Sequence, residues 1–174
     1  MGFPGRGPSL GAIVLLVIVV ALLVGCGEEA SEPDAGGEES ELTVPVVDVV
    51  DGDTIEVSIG DQVEDVRYIG VDTPESVAPD QPVECFGKEA SRFNAELVSG
   101  ERVRLVFDAE RRDRYGRLLA YVYVDELFVN AELVRRGFAR TLTIAPNDSF
   151  AARFDALQRA AGSAGRGLWG ACDP

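Results

Sequence analysis

From Thr54 to Ile59 the chain reads TIEVSI: Ile55, Val57 and Ile59 alternate with Thr54, Glu56 and Ser58, and Gly60-Asp61 follows at once. A period of two puts the three aliphatic side chains on one face of a strand and the polar three on the other. Gly-Asp between two such runs is a hairpin signal, so Val63–Val71 is expected to return antiparallel beside it. A hairpin with one apolar face must be covered by further strands or a helix.

The flanking sequence supplies that cover. Val46–Val50 reads as a preceding strand, and Ser76–Val83 as a Pro-containing loop. Phe86, Ala90, Phe93 and Leu97 recur at helical spacing, with Gly100 as the stop. Arg102–Phe107 and Arg117–Val124 are strands, and Asp125-Glu126 turns the chain back to Phe128-Val129. Asn130 is placed to cap a short helix that Gly137 ends, and Asp148 to cap a last helix with the stripe Phe150, Phe154, Leu157, Ala161. Three strands, a helix, two strands and two helices suit an α+β fold, a five-stranded Greek-key β-barrel of the oligonucleotide-binding type with three helices. The same pattern admits another α+β sheet.

The first 44 residues lie outside that pattern. Residues 12–24, AIVLLVIVVALLV, form an apolar run after Arg6, short for a membrane span of about 20 residues and suited to a signal segment. It ends in Leu23-Val-Gly-Cys26, which resembles a bacterial lipoprotein signal: residues 1–26 are then a signal peptide, with Cys26 as the lipidated cysteine. An uncleaved anchor helix is the alternative. The remainder is then expected outside the cytoplasm, lipid-anchored at the cell membrane or secreted. Residues 27–44 carry Glu28, Glu29, Glu32, Asp34, Glu38, Glu39 and Glu41 without apolar periodicity and read as a disordered acidic linker. Residues 45–174 are then the folded domain.

Of the net charge of −14, this linker contributes half, and residues 45–174 hold 23 acids against 15 bases. Bulk charge therefore does not attract polyanions; contact with them requires a local cluster or a bound cation. The absence of histidine excludes His-based triads and His-ligated metal nucleases, and if the chain has a general base, a carboxylate is expected to be it. Cys85 and Cys172 have no metal-ligand company, and in an oxidising compartment two such thiols pair; two free thiols are the alternative.

Three segments carry the chemistry: Asp51-Gly-Asp-Thr54, then Arg67 with Asp72-Thr-Pro-Glu75, then Asp113-Arg-Tyr-Gly-Arg117. Singly each has a plain structural account as a turn or hairpin end. In this order and spacing, together with Val129-Asn-Ala-Glu-Leu-Val-Arg-Arg-Gly137, they resemble the staphylococcal nuclease (thermonuclease) family from about residue 46 to 169. The resemblance implies an oligonucleotide-binding barrel that hydrolyses DNA and RNA, needs Ca2+, and leaves 3′-phosphate ends. It implies Asp53, Asp72 and the Thr73 carbonyl as calcium ligands, Glu75 as the general base, and Arg67 and Arg117 as the pair on the scissile phosphate. It further implies Arg114 and Tyr115 as substrate contacts and Asp51 as an acid behind the ion, although Tyr115 serves equally as a packing residue and Asp51 equally as part of the turn. Hard carboxylate oxygens suit calcium, and guanidinium forks suit phosphate. The implied substrate is single-stranded or frayed nucleic acid, and the expected state is a monomer.

The resemblance departs after Gly137. Family members place two tyrosines there to grip a base, whereas this chain reads FARTLTIAP over 138–146. Cys85 and Cys172 resemble a bridged branch of the family. The competing reading is a catalytically inactive barrel that binds nucleic acid or protein; retention of Asp53, Arg67, Asp72, Glu75 and Arg117 favours the enzyme.

Overall fold

A computed structural model describes residues 40–76 and 82–172. The expected signal peptide, Cys26 and nearly all of the expected linker lie outside the described residues.

The elements are β1 (Glu41–Val49), β2 (Thr54–Ile59), β3 (Gln62–Tyr68), β4 (Gly70–Asp72), α1 (Gly87–Val98), β5 (Arg102–Val106), β6 (Leu118–Val124), β7 (Leu127–Phe128), α2 (Val129–Arg136), β8 (Arg140–Leu142), α3 (Ala151–Ser163) and α4 (Leu168–Ala171). β2 and β3 form the anticipated hairpin, paired from Thr54↔Arg67 to Ile59↔Gln62. β1 belongs to two sheets. Glu41–Pro45 pairs antiparallel with β5, and Val46–Val49 pairs with β2. Where it changes partner the register slips between Val46 and Asp48, which leaves Val47 as an extra, half-exposed residue. Pro45, which has no N–H to give a ladder, stands beside that bulge. β5 pairs antiparallel with β6, and β6 runs parallel to β3 through Val66↔Leu118 and Tyr68↔Ala120. The ring β1-β2-β3-β6-β5 thereby closes on itself as a five-stranded barrel with three helices of two turns or more and the single-turn α4.

Two strand boundaries differ from expectation. β1 starts at Glu41, inside the stretch expected to be linker, because Glu41–Val44 finds a complete ladder partner in Val103–Val106. The expected run Val63–Val71 is broken at Ile69 into β3 and β4, and β4 pairs with β8 instead of continuing the barrel.

The inward faces of the barrel carry Ile55, Val57, Val66, Val103, Leu105, Ala120 and Val122, all fully buried. Burying each aliphatic side chain of this size is worth roughly 1.5–3 kcal/mol. The expected α3 stripe is borne out: Phe154 and Ala161 are buried, and Phe150 and Leu157 pack against the core. Phe150 and Phe154 meet Tyr121 and Phe128 with ring centroids 4.7–6.3 Å apart.

Both expected helix caps are corrected. Asn130 lies within α2, fully buried, and bonds away from its own helix: Oδ1 accepts from the Val122 amide at 2.9 Å and Nδ2 donates to the Ile69 carbonyl at 2.9 Å. A buried carboxamide costs stability unless both ends are satisfied, and these two contacts outcompete capping. At α3, the Asp148 backbone carbonyl, not its side chain, accepts the Ala151 amide.

The start of α3 is held instead by Asp108, beyond the end of β5. Its carboxylate accepts from the Tyr121 hydroxyl at 2.9 Å and from the Ser149 hydroxyl at 3.0 Å. Burial acts to raise its pKa, but these hydrogen bonds together outweigh burial and hold it below the ordinary 3.8. A depressed carboxylate adds stability above its unfolded pKa and loses it as pH falls through the folded value. Asp108→Asn is therefore expected to destabilise the protein by about 1 kcal/mol at pH 7 and by less at an acid pH below the ordinary carboxylate range. Denaturant titrations at the two pH values check this; an equal difference at both pH values would count against it.

Candidate functional site

The turn between β1 and β2 is built from DGDT. The Asp51 carboxylate accepts the Asp53 amide at 2.9 Å, which makes Asp51 a turn-former, as one of its two expected roles had it. The Gly52 position is pressed against Thr73: a Cβ there would meet Thr73 Oγ1 at 2.6 Å, so only glycine lets the two loops touch. Beneath the turn, Asn94 of α1 donates to the Asp51 carbonyl at 2.9 Å and accepts from the Tyr68 hydroxyl at 3.0 Å, both ends fully buried. Burial drives the Tyr68 hydroxyl far above its usual range, so it stays a neutral donor.

This framework places Asp53 almost out of solvent, 4% exposed. Its Oδ2 receives the Thr73 amide at 2.7 Å, the Thr73 hydroxyl at 3.1 Å and Arg67 Nη1 at 2.7 Å. Burial still pushes its pKa up to about 7, against the pull of Arg67 and with the Asp51 charge adding to the rise. The same guanidinium reaches Asp72: Nη2 lies 2.9 Å from Oδ1, while Nη1 also donates to the Val71 carbonyl at 3.0 Å. Two carboxylates from opposite ends of the β2–β4 segment thus face one centre of positive charge.

Arg117 approaches from β6. Arg117 stands one residue before β6 and two before Leu119, the parallel partner of Arg67, and both arginines line one cleft. Asp113 holds Arg117 in place: Oδ2 takes Nε and Nη2, each at 2.8 Å, and Oδ1 accepts the amides of Arg117 and Tyr115 at 3.0 and 2.9 Å. Those hydrogen bonds outweigh burial and keep the Asp113 carboxyl below its ordinary range. Tyr115 is 69% exposed, with Arg114 over its ring at 4.7 Å and Arg117 at 5.7 Å, so it does not pack into the core. Arg67, Arg114, Tyr115 and Arg117 line one cleft of about 530 Å³, closed on another side by Leu142 and Ile144 in the segment where tyrosines are missing.

Asp72, Thr73 and Pro74 line a second, smaller hollow with Glu84, Arg140 and the Cys85–Cys172 bridge, which is formed. Glu75 follows immediately; its Oε1 accepts the Ser76 amide at 2.8 Å. Of the expected residues, Asp53, Arg67, Asp72 and Thr73 therefore converge in direct contact, and Arg114, Tyr115 and Arg117 share a cleft with Arg67. Glu75 lies just beyond, outside that cleft's lining.

Among the described residues no group of three or more acidic or thiol side chains gathers to hold a metal. The donor set nevertheless fits a hard cation: two carboxylates already turned toward one positive charge, one of them buried and short of compensation, with backbone oxygen and water left to complete a loose shell.

Sequence reasoning missed two supports of the site. For Asp113, an acid four residues before an arginine, across a glycine turn, is the available signal. Asn94 lies on the helix face of Ala90 and Val98, and a carboxamide within an apolar stripe signals a buried bond.

A five-stranded barrel that sets three arginines and a tyrosine in one cleft, with carboxylates ion-paired behind them, defines a class of hydrolase that handles phosphodiesters. The chain belongs to the family of staphylococcal nuclease homologues, which matches residues 65–171. It is 35% identical over 163 residues to the thermonuclease of Staphylococcus hyicus, covering 92% of this chain and 96% of that one. To the thermonuclease of Staphylococcus intermedius it is 38% identical over 164 residues, 94% and 95% of the two chains. Endonuclease YncB of Bacillus subtilis (strain 168) is 38% identical over 144 residues, 82% of this chain and 68% of the relative. The protein is a nuclease, a hydrolase whose substrate is nucleic acid.

Proposed function

We propose that this nuclease is calcium-dependent, cuts DNA or RNA to leave 3′-phosphate ends, and works outside the cytoplasm, tethered through a lipid on Cys26. The observation that carries the catalytic part is the sharing of Arg67 between Asp53 and Asp72 beside the cleft that Arg117 enters.

Asp53, Asp72 and the Thr73 carbonyl would hold the calcium, which when bound neutralises charge on the phosphodiester and this acidic group. Glu75 accepts a proton from the attacking water, whose oxygen forms the new bond to phosphorus opposite the 5′ oxygen. The phosphorus–O5′ bond breaks, one product keeps the phosphate on its 3′ oxygen, and the departing 5′ oxygen takes a proton from solvent. Arg67 and Arg117 bind the non-bridging oxygens, where charge gathers as phosphorus becomes five-coordinate. Tyr115 and Arg114 offer a ring face and a charge to the strand; a stacked base contributes roughly 1–3 kcal/mol.

Incubating the full chain with denatured DNA in millimolar calcium, and again in chelator, tests the proposal. Cleavage in calcium alone, with products that accept phosphatase treatment at their 3′ ends, is expected. Binding without cutting in calcium would refute it in favour of the inactive barrel. The tether is checked by fractionating cells: the wild type should sediment with membranes and Cys26→Ala should not.

A further inference from the structure

Residues 73–76 belong to no strand or helix, so no ladder fixes the backbone from which Glu75 projects. One residue across the loop does so. The Glu84 amide donates to the Glu75 carbonyl at 2.9 Å, and Glu84 Oε2 accepts the Glu75 amide at 3.2 Å. Both polar groups of the Glu75 main chain are thus met by a single partner. Glu84 is itself anchored, because Cys85 beside it is bonded to Cys172 at the far end of the domain. From below, α1 presses on the same backbone: a Cβ on Gly87 would stand 2.5 Å from the Glu75 carbonyl oxygen and 3.0 Å from that of Pro74.

We propose that Glu84, pinned by the Cys85–Cys172 bridge, is a positioning residue that sets the place of Glu75. The proposal rests on the reading of Glu75 as the base. A general base must come within hydrogen-bond reach of the water it deprotonates. An error of about 1 Å in such a placement costs on the order of 100-fold in rate. The Glu84 carboxylate is spent as an acceptor for a backbone amide, so its task is geometric and does not require its charge.

The test is steady-state cleavage of single-stranded DNA in millimolar calcium by the full chain and four variants, with melting temperatures alongside. Glu84→Ala should lower kcat on the order of 10- to 100-fold with KM and melting temperature little changed. Glu84→Gln should recover most of the rate, since its carboxamide oxygen accepts the same amide. Gly87→Ala should lower kcat as well, because its methyl displaces the Glu75 carbonyl. Glu75→Gln is the reference for the base itself. A Glu84→Ala protein with wild-type kcat, beside an inactive Glu75→Gln, overturns the positioning role and leaves the base reading intact. A fully active Glu75→Gln overturns the base reading. Glu84→Gln as slow as Glu84→Ala makes the role electrostatic and overturns the positional one. Should Glu84→Ala fail to fold, a folded Gly87→Ala decides: unchanged kcat there overturns the proposal.

Discussion

Glu75→Gln is expected to lower kcat on the order of 10²- to 10⁴-fold while substrate affinity stays close to wild type. The amide keeps the size of the side chain and removes only its ability to take a proton. With no histidine in the chain, no imidazole is at hand to replace it near neutral pH. Arg117→Gln gives a second, independent measure. Loss of one charged donor to the developing transition state should cost about 10²- to 10³-fold in kcat. Asp113→Asn should reproduce part of that loss, because Arg117 would keep its charge but lose the acceptor that takes Nε and Nη2. Rates for Glu75→Gln within tenfold of wild type would remove the carboxylate from the chemistry.

The largest expected effect on stability comes from the bridge. Cys85 and Cys172 are 87 residues apart in sequence. Closing a loop of that length adds roughly 4–5 kcal/mol on the chain-entropy argument, an upper figure because a denatured chain keeps some structure. For a domain of about 130 residues each kcal/mol moves the melting temperature by some 3–6 °C, so Cys85→Ser/Cys172→Ser should melt lower by at most about 12–30 °C. Reduction of the wild type should lower its melting temperature equally and leave the double variant untouched. A shift of only a degree or two would mean that the C-terminal turn opens without consequence for the barrel.

Most of the barrel was legible in the sequence because its strands alternate cleanly and its turns are marked by Gly-Asp and Asp-Glu pairs. Ile55, Val57 and Val66 are buried as their period requires. The misreadings fall where an interaction distant in sequence decides. Glu41–Val44 looks like linker because it continues directly from the acidic run before it and is too short to show a period, yet β5 supplies a ladder for it. Asn130 looks like a cap until β6 and the Ile69 kink are brought beside it. The site was legible as a set of residue types in order, since Asp, Arg and Pro-Glu at those spacings have few structural uses together. Its supports were harder to see: Asp113 grips the Arg117 side chain and two backbone amides, Asn94 joins the Asp51 carbonyl to the Tyr68 hydroxyl, and Glu84 acts through a loop that periodicity does not describe.

The buried Asn130 sits at the hinge between Arg67 and Asp72, for its Nδ2 holds the Ile69 carbonyl at the break between β3 and β4. The spacing of the Arg67–Asp72 ion pair therefore depends on a buried carboxamide in the first turn of α2. A substitution at Asn130 is expected to be felt by two side chains it never touches.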